Sequence, residues 1–553
     1  MTSSAWYGLL DHRYAQYRKL RAAKVGGMGT ASRYAVVACA CALICLLVWT
    51  AYAGRERLEM TGPQVQLGGN PLRAGSRKLV GEQSPEGARS EGEVGKEEKR
   101  AKKASNQKML GEQQVPRLVQ EEVQELSMAE RQTHKEAFEC DRHSPLTDVC
   151  TLQGDVRINV ETGEIVLFAR DPAILRGPLS VRPHPRKWDY NAMRDVTELR
   201  IRAMDAAASQ EFPHWECTSH HRAPAAVFSA GGYCGGAFHD FNEVFLPLFQ
   251  TVRQLARDVV LFVADLKGPW WWRGAPAADT LVGAMTKHRI RLLGQRNDTQ
   301  GEAQGVQCFE RVTIGLRHHL CMYDEFGGLE TRSESLAGAR LSDFGPFVAA
   351  GLRAEVPSPA RVQVAEGSTP VVGIVQRRGT RVLANFEAML ASAEAAGYRA
   401  VALVLEELRP QEAVRALRQL DVLVAVHGAG LANLALLRPG AVVMQILPYG
   451  EWGKGRLVGR EYRNLADLQG AKYLEWHVPL QDTSLVDAYP LTDPVLMDPD
   501  SVWREQHTVA AMRIYHQQNV SMPEDMFGAY LRHIKKDLVF KEKLRAESAD
   551  MTM

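Results

Sequence analysis

Two groups of residues in this chain have the types and spacing for chemistry on an anionic ligand. Past the apolar run Leu423-Val424-Ala425-Val426 comes His427-Gly428-Ala429-Gly430. A helical pattern over 431–437 follows, stopped by Arg438-Pro439-Gly440. The run reads as a buried parallel strand and the glycines as a tight strand-to-helix turn. Such a turn offers N–H groups and partial positive charge to a diphosphate, and its glycines let the anion approach the backbone. His427 adds a donor or a cation. The spacing is neither that of a Walker loop nor that of a dinucleotide fingerprint. A tight turn with a locally capping histidine accounts for it equally well.

Upstream, Arg377, Arg378 and Arg381 follow a strand-like run over 370–375. Ends of parallel strands share one edge of a sheet, so these guanidiniums and the later turn can meet. Together they would neutralise a leaving diphosphate without a metal. The alternative is that they solvate a loop. Earlier still, His239, Asp240 and Glu243 stand just after Gly235-Gly236. An imidazole and two carboxylates within about one helical turn could supply the general base that takes a proton from an attacking hydroxyl. Asp240 would serve equally well as a helix cap. Trp270-Trp271-Trp272 reads more readily as packing than as a sugar-stacking surface. Asp498-Pro499-Asp500 reads as a turn, not a cation site.

The elements around these groups alternate strand and helix patterns, which predicts an α/β fold. The 553 residues and 45% apolar composition suffice for two domains with appendages, and a net charge of +2 gives no sign of nucleic-acid binding. Tyr34 and Ala53 bound a stretch of 20 residues without charge or proline, about what a helix needs to cross a bilayer. Arg13, Arg18, Lys19, Arg21, Lys24 and Arg33 precede it against Asp11, so residues 1–33 are expected on the cytoplasmic side. Residues 34–53 are then a single-pass anchor, and 54–137, without aromatics up to Phe138, a flexible stem. Order is expected in 138–358 as a first lobe and 359–480 as a second, ligand-binding lobe. Helices in 481–553 would pack back across both. Cys140, Cys150, Cys217, Cys234, Cys308 and Cys321 form an even set compatible with disulfides outside the cytosol. Asn297 and Asn519 head glycosylation sequons.

An ordered series of short motifs resembles glycosyltransferase family 61 in its plant branch. It runs from Cys140-Asp141 and Asp148-Val149-Cys150 through Arg182-Pro183 and Arg186-Lys187-Trp188 to Gly231-Gly232-Tyr233. Phe238-His239-Asp240-Phe241, Arg377 to Arg381 with Asn385, and His427-Gly428-Ala429-Gly430-Leu431 with Asn433 complete it. The resemblance implies a Golgi membrane enzyme of single-pass type II with two Rossmann-like lobes, the GT-B arrangement. It implies an inverting reaction that uses a UDP-sugar as co-substrate, with no resident cofactor or metal. The glycan acceptor would be xylan receiving xylose or arabinose, or alternatively an N-glycan core. By that resemblance Arg377, Arg381, His427, Gly428, Ala429 and Gly430 would bind the donor. His239, Asp240 and Glu243 would line the acceptor cleft. The sequence departs from the family where Glu243, Gln376 and His184 stand in place of the usual Asp, Ser and Tyr. A non-catalytic scaffold is the rival of another class.

Overall fold

The computed structural model describes residues 136–144, 146–207, 212–266, 279–294, 305–318, 340–355, 361–451, 460–505 and 508–550. The chain divides into units 1–121 and 122–553, and everything described belongs to the second. Tyr34, Ala53, Trp270 to Trp272, Asn297 and Cys321 lie outside the described residues. Among the described residues no helix is long and apolar enough to cross a membrane.

The first sheet is built from β1 (Ala137–Asp141), β2 (Val149–Asn159), β3 (Ile165–Ala169), β4 (Leu179–Val181) and β5 (Leu199–Asp205). It continues with β6 (Ser219–His221), β7 (Ala225–Ser229), β8 (Val260–Ala264), β9 (Arg291–Leu292) and β10 (Val306–Ile314). Its order is β4-β5-β3-β2-β10-β7-β8-β9, with β1 on β2 and β6 on β10. Only part of it is Rossmann-like. β7, β8, β9 and β10 pair in parallel, whereas β1–β2, β2–β3, β2–β10 and β4–β5 are antiparallel. The short Glu161-Thr162-Gly163 turn leaves β2 and β3 no alternative, because a parallel partner needs a long crossover. The expected parallel lobe is therefore a mixed sheet. Its parallel strands are buried on both faces: Ala226 and Phe228 of β7 enter one core, Ala225 and Val227 another.

Cys140 faces Cys150 across β1 and β2 and forms a disulfide with it, while Cys217 reaches 91 residues on to Cys308. The first bond closes a short loop of adjacent strands and the second a long one, across 91 residues.

Helix α1 (Leu246–Val252) continues a π-helical turn over Asp240–Phe245, and α2 (Phe344–Leu352) packs on it through Phe249 and Phe344, centroids 5.5 Å apart. The second sheet is wholly parallel: β11 (Val371–Val375), β12 (Arg399–Leu403), β13 (Val422–Val426), β14 (Val442–Leu447) and β15 (Lys472–His477). Helices α3 (Phe386–Ala395), α4 (Pro410–Leu417) and α5 (Arg460–Gln469) connect them. The order β12-β11-β13-β14-β15 reverses direction between β11 and β13. One continuous core joins this sheet to α1, α2 and one face of β7 and β8. The C-terminal helix α6 (Glu524–Asp550) buries Phe527, Leu531 and Ile534 in the same core, and Leu531 O accepts from Tyr398 Oη at 2.8 Å.

Candidate functional site

In an open parallel sheet the loops after the two strands at the reversal part and leave a crevice, the usual ligand position. Here those loops carry the arginines and the glycine turn. Gln376 shapes the arginine loop: its Oε1 accepts from the Arg377 and Leu383 N–H groups, both at 3.1 Å, and its Nε2 donates to Leu383 O. The C-terminal segment holds the other side. Gln518 O accepts from Arg381 N–H at 2.8 Å and Asn519 Oδ1 from Val382 N–H at 3.1 Å. Asn519 is therefore half-buried and engaged in the fold. Arg381 is held at φ 57, a left-handed conformation that costs a non-glycine residue on the order of 1 kcal/mol. Arg378 turns away to pair with Glu407 at the surface, leaving Arg377 and Arg381 to converge.

They converge on Gly428. A Cβ there would stand 2.7 Å from Arg377 Nη1 and 3.3 Å from Arg381 Cζ, and φ is 147. Both guanidiniums thus rest on the bare backbone of the turn. The helical segment that follows, Ala429–Leu436, is 3-10 and not α. Its first amides, at Ala429 and Gly430, have no acceptor within the helix, and Asn433 Nδ2 braces the turn on Gly430 O at 3.0 Å.

His427 is a neutral donor. Tyr473 Oη donates to Gln445 Oε1 at 2.8 Å, and Gln445 Nε2 donates to His427 Nδ1 at 2.7 Å, so the imidazole proton sits on Nε2. Burial, then the charges of Arg381, His516 and Arg377, hold this histidine well below its ordinary value. His516, brought in by the C-terminal segment, is likewise held at about 4 by burial and by Arg381 and Arg377. Burial also lowers Arg381, with Glu451 opposing, and Arg381 Nε has no hydrogen-bond partner among the described residues. Partly desolvated cations that depress their neighbours are what an anion-binding site requires.

The second half of the site comes from the first lobe. The π-helical turn brings His239 and Glu243 to one side, with Nδ1 and Oε1 2.7 Å apart. Glu243 is fully buried and receives Arg186 Nε on Oε1 at 2.5 Å and His184 Nε2 on Oε2 at 3.2 Å. Burial alone would raise its carboxyl, but the hydrogen bonds from His184 and His239 and the Arg186 charge win and hold it well below the usual carboxylate range. Glu243 is thus a fixed anion and a poor base. What it does is hold the proton on His239 Nδ1, leaving Nε2 of this partly exposed ring as an acceptor. His184 fits against Gly232, whose added Cβ would meet Nε2 at 2.7 Å.

Asp240 plays another part: fully buried, it accepts Gly235 N–H at 2.8 Å and faces the Cys234 thiol, which burial, Glu243 and Asp240 push well up. It ties down the loop that precedes the helix from a position inside it, and is not the N-terminal helix cap that the sequence offered as the alternative. His184, Cys234 and Glu243 bring donor atoms within 4.8 Å of one another. With Arg186, His239 and His184 already on Glu243, that cluster is spoken for by protons. Asp498 accepts from Ser501 N–H at 3.2 Å and opens the short helix Pro499–Glu505, so Asp498-Pro499-Asp500 starts a helix where the sequence predicts a turn.

Edge-to-face rings join the halves: His239 to Phe238 at 5.3 Å, Phe238 to Tyr462 at 6.0 Å, and Tyr462 to His427 at 5.6 Å. Tyr462 Oη also donates to Gly428 O at 2.8 Å. Sequence reasoning missed His184 and Arg186 as partners of Glu243, and missed Gln445, Tyr462, Glu451 and His516 altogether. Only Gln445 had a signal, as the one polar residue inside the apolar strand β14.

Acid should loosen this arrangement. An unfolded histidine takes up a proton near pH 6.5, whereas buried His427 and His516 resist it, so stability falls as pH drops through and below that value. Glu243 works the same way lower down, its contribution being complete above about pH 4.3 and lost beneath. Melting at about pH 7.5 and about pH 5 is expected to give a lower Tm in acid. His516→Gln should narrow the difference, and equal melting temperatures would contradict the buried neutral histidines.

Two guanidiniums converging on a glycine turn at the sheet's reversal point thus share one site with a histidine paired to a carboxylate. The family model described as Glycosyltransferase 61 matches residues 241–444. The chain is 29% identical to the rice Beta-1,2-xylosyltransferase XYXT1, over 71% of this chain and 82% of that one. It is 27% identical to the rice Alpha-1,3-arabinosyltransferase XAT3, over 69% of this chain, and spans 62% of that relative's length. With the Xylan glycosyltransferase MUCI21 of Arabidopsis thaliana the identity is 24%, over 67% and 74%.

Proposed function

We propose that this glycosyltransferase moves a pentose, xylose or arabinose, from a UDP-sugar to a cell-wall polysaccharide such as xylan, with inversion. The observation that carries the reading is the convergence of two guanidiniums on Gly428, next to His427, together with the oriented His239–Glu243 pair. The donor diphosphate lies against Arg377, Arg381 and the amides of Ala429 and Gly430. An acceptor hydroxyl gives its proton to His239 Nε2 as its oxygen attacks the anomeric carbon. The bond from that carbon to the diphosphate oxygen breaks, and UDP departs with the electron pair, stabilised by the guanidiniums. One displacement inverts the anomeric centre. The relatives' names support a pentose and xylan.

The two sheets correspond to the lobes of a GT-B arrangement, with the mixed sheet on the acceptor side. The disulfides and the uncharged stretch from Tyr34 support a Golgi-lumenal enzyme on a single-pass anchor. Mass and proton NMR of xylo-oligosaccharides incubated with UDP-xylose or UDP-arabinofuranose test the reaction. One added pentose with the anomeric configuration opposite to the donor's is expected; a retained configuration would contradict the single displacement. Because guanidiniums supply the positive charge, EDTA is expected to leave the rate within about twofold. Loss of activity restored only by a divalent cation would contradict this.

A further inference from the structure

The loop through Arg186, Lys187 and Trp188 holds Glu243 in place, yet that does not explain its exposed end. Among the described residues of the first lobe, the large hydrophobic side chains left exposed are Trp188, at 49%, and Tyr190, at 73%, both from this loop. The loop is firmly pinned. Arg186 and Lys187 N–H groups both donate to Leu146 O, at 2.8 and 2.9 Å, and Lys187 Nζ reaches Asp148 Oδ1 at 2.6 Å. Asp189 caps the short helix Tyr190–Met193. Arg186 itself sits at φ 91, outside the usual range of a non-glycine residue. Its buried guanidinium lies 5.6 Å from the Trp188 ring centre and 5.1 Å from that of Tyr233. Tyr233 is tied to Asp189 Oδ1 by its hydroxyl, 3.3 Å, and its ring centre is 5.4 Å from that of His239.

An indole that is half exposed, carried on a pinned loop and linked through Arg186 and Tyr233 to the proposed base suits one kind of occupant. A pyranose presents a face of C–H groups that packs on an aromatic plane, while its hydroxyls stay free at the rim. We propose that Trp188, with Tyr233, forms the acceptor subsite. A sugar of the glycan stacks on the open face of Trp188, Arg186 backs the other side, and an adjacent hydroxyl is delivered over Tyr233 to His239 Nε2. Arg186 is then a positioning residue twice over, for Glu243 and for the indole. An aromatic ring with two side-chain torsions, on a loop whose backbone is already held, loses little freedom on binding.

The subsite rests on the glycosyl-transfer reading but fails separately from it. Trp188→Phe keeps a ring, and Trp188→Leu keeps apolar bulk over Arg186 without an aromatic face. In the full chain, Trp188→Leu is expected to raise the KM for xylo-oligosaccharides roughly tenfold, with UDP affinity and Tm unchanged, and Trp188→Phe to recover most of the loss. An unaltered acceptor KM in Trp188→Leu would overturn the subsite. Calorimetric titration of the same chains with xylohexaose and with mannohexaose separates the two claims. Binding lost in Trp188→Leu alongside no turnover of any pentose donor keeps the subsite and overturns pentosyl transfer. Binding equal in both chains, or binding of neither sugar by the parent, overturns the subsite.

Discussion

Replacing His239 by Ala is expected to lower kcat by roughly 10²–10⁴-fold, the range that a positioned proton acceptor contributes. UDP affinity should not change, because His239 stands on the first lobe, away from the arginines. The prediction follows from a division of labour between neighbours in sequence. Glu243 is locked by Arg186, His184 and His239, so it cannot be the group that gains a proton. Asp240 is occupied with Gly235 N–H. His239 is the member of the trio with a ring nitrogen left for the acceptor. Glu243→Gln tests the support: it takes from buried Arg186 its closer anion and leaves Asp189, at 3.5 Å, to face the charge. The cost is up to about 3–5 kcal/mol, a large part of the stability of an ordinary domain. Such a variant should melt far below the parent or fail to accumulate. A His239→Ala protein that transfers sugar at the parent's rate would remove the imidazole from the mechanism.

Arg377→Ala and Arg381→Ala should each weaken UDP binding by roughly 10–100-fold, because a charge-assisted hydrogen bond to an anion is worth about 1.5–3 kcal/mol. Gly428→Ala should have a similar effect without removing a charge, since its Cβ would displace both guanidiniums at once. Arg378→Ala is the contrast. That arginine belongs to Glu407, and its loss should leave UDP affinity within about twofold. Isothermal titration with UDP reads all four. Equal losses at Arg377, Arg378 and Arg381 would mean a diffuse electrostatic field and not a built site.

Much of the second lobe could be read from the chain because its strands are buried on both faces and appear as unbroken apolar runs. The spans over 370–375, 400–405, 423–426 and 441–447 reappear as β11, β12, β13 and β14 within a residue or two. With strands alternating with helices, the meeting of Arg377, Arg381 and Gly428 at one edge followed from topology alone. The first lobe was harder. Its hairpins and long β2 mix with parallel strands, and short apolar segments do not declare their pairing partners. The site's supports were hidden for a related reason. Arg186 lies 57 residues from Glu243 and Gln445 18 from His427, so spacing along the chain carries no trace of either contact. His516 is further removed, and neither its type nor its neighbours distinguished it from a surface histidine. The turn at Ala429–Leu436 read as a helix because 3-10 and α segments share apolar periodicity over so few residues.

Acceptor-dependent release of UDP is the most direct test of a crevice that holds the nucleotide while a histidine activates a glycan hydroxyl. The purified full chain would be incubated with UDP-xylose or UDP-arabinofuranose, with and without xylo-oligosaccharides, and free UDP followed over time. Release stimulated by the oligosaccharide for one of the two donors, and abolished in both His239→Ala and the Arg377→Ala, Arg381→Ala double variant, is the expected result. A chain that binds no UDP and releases none from either donor would contradict the site at its foundation and leave a non-catalytic member of the family.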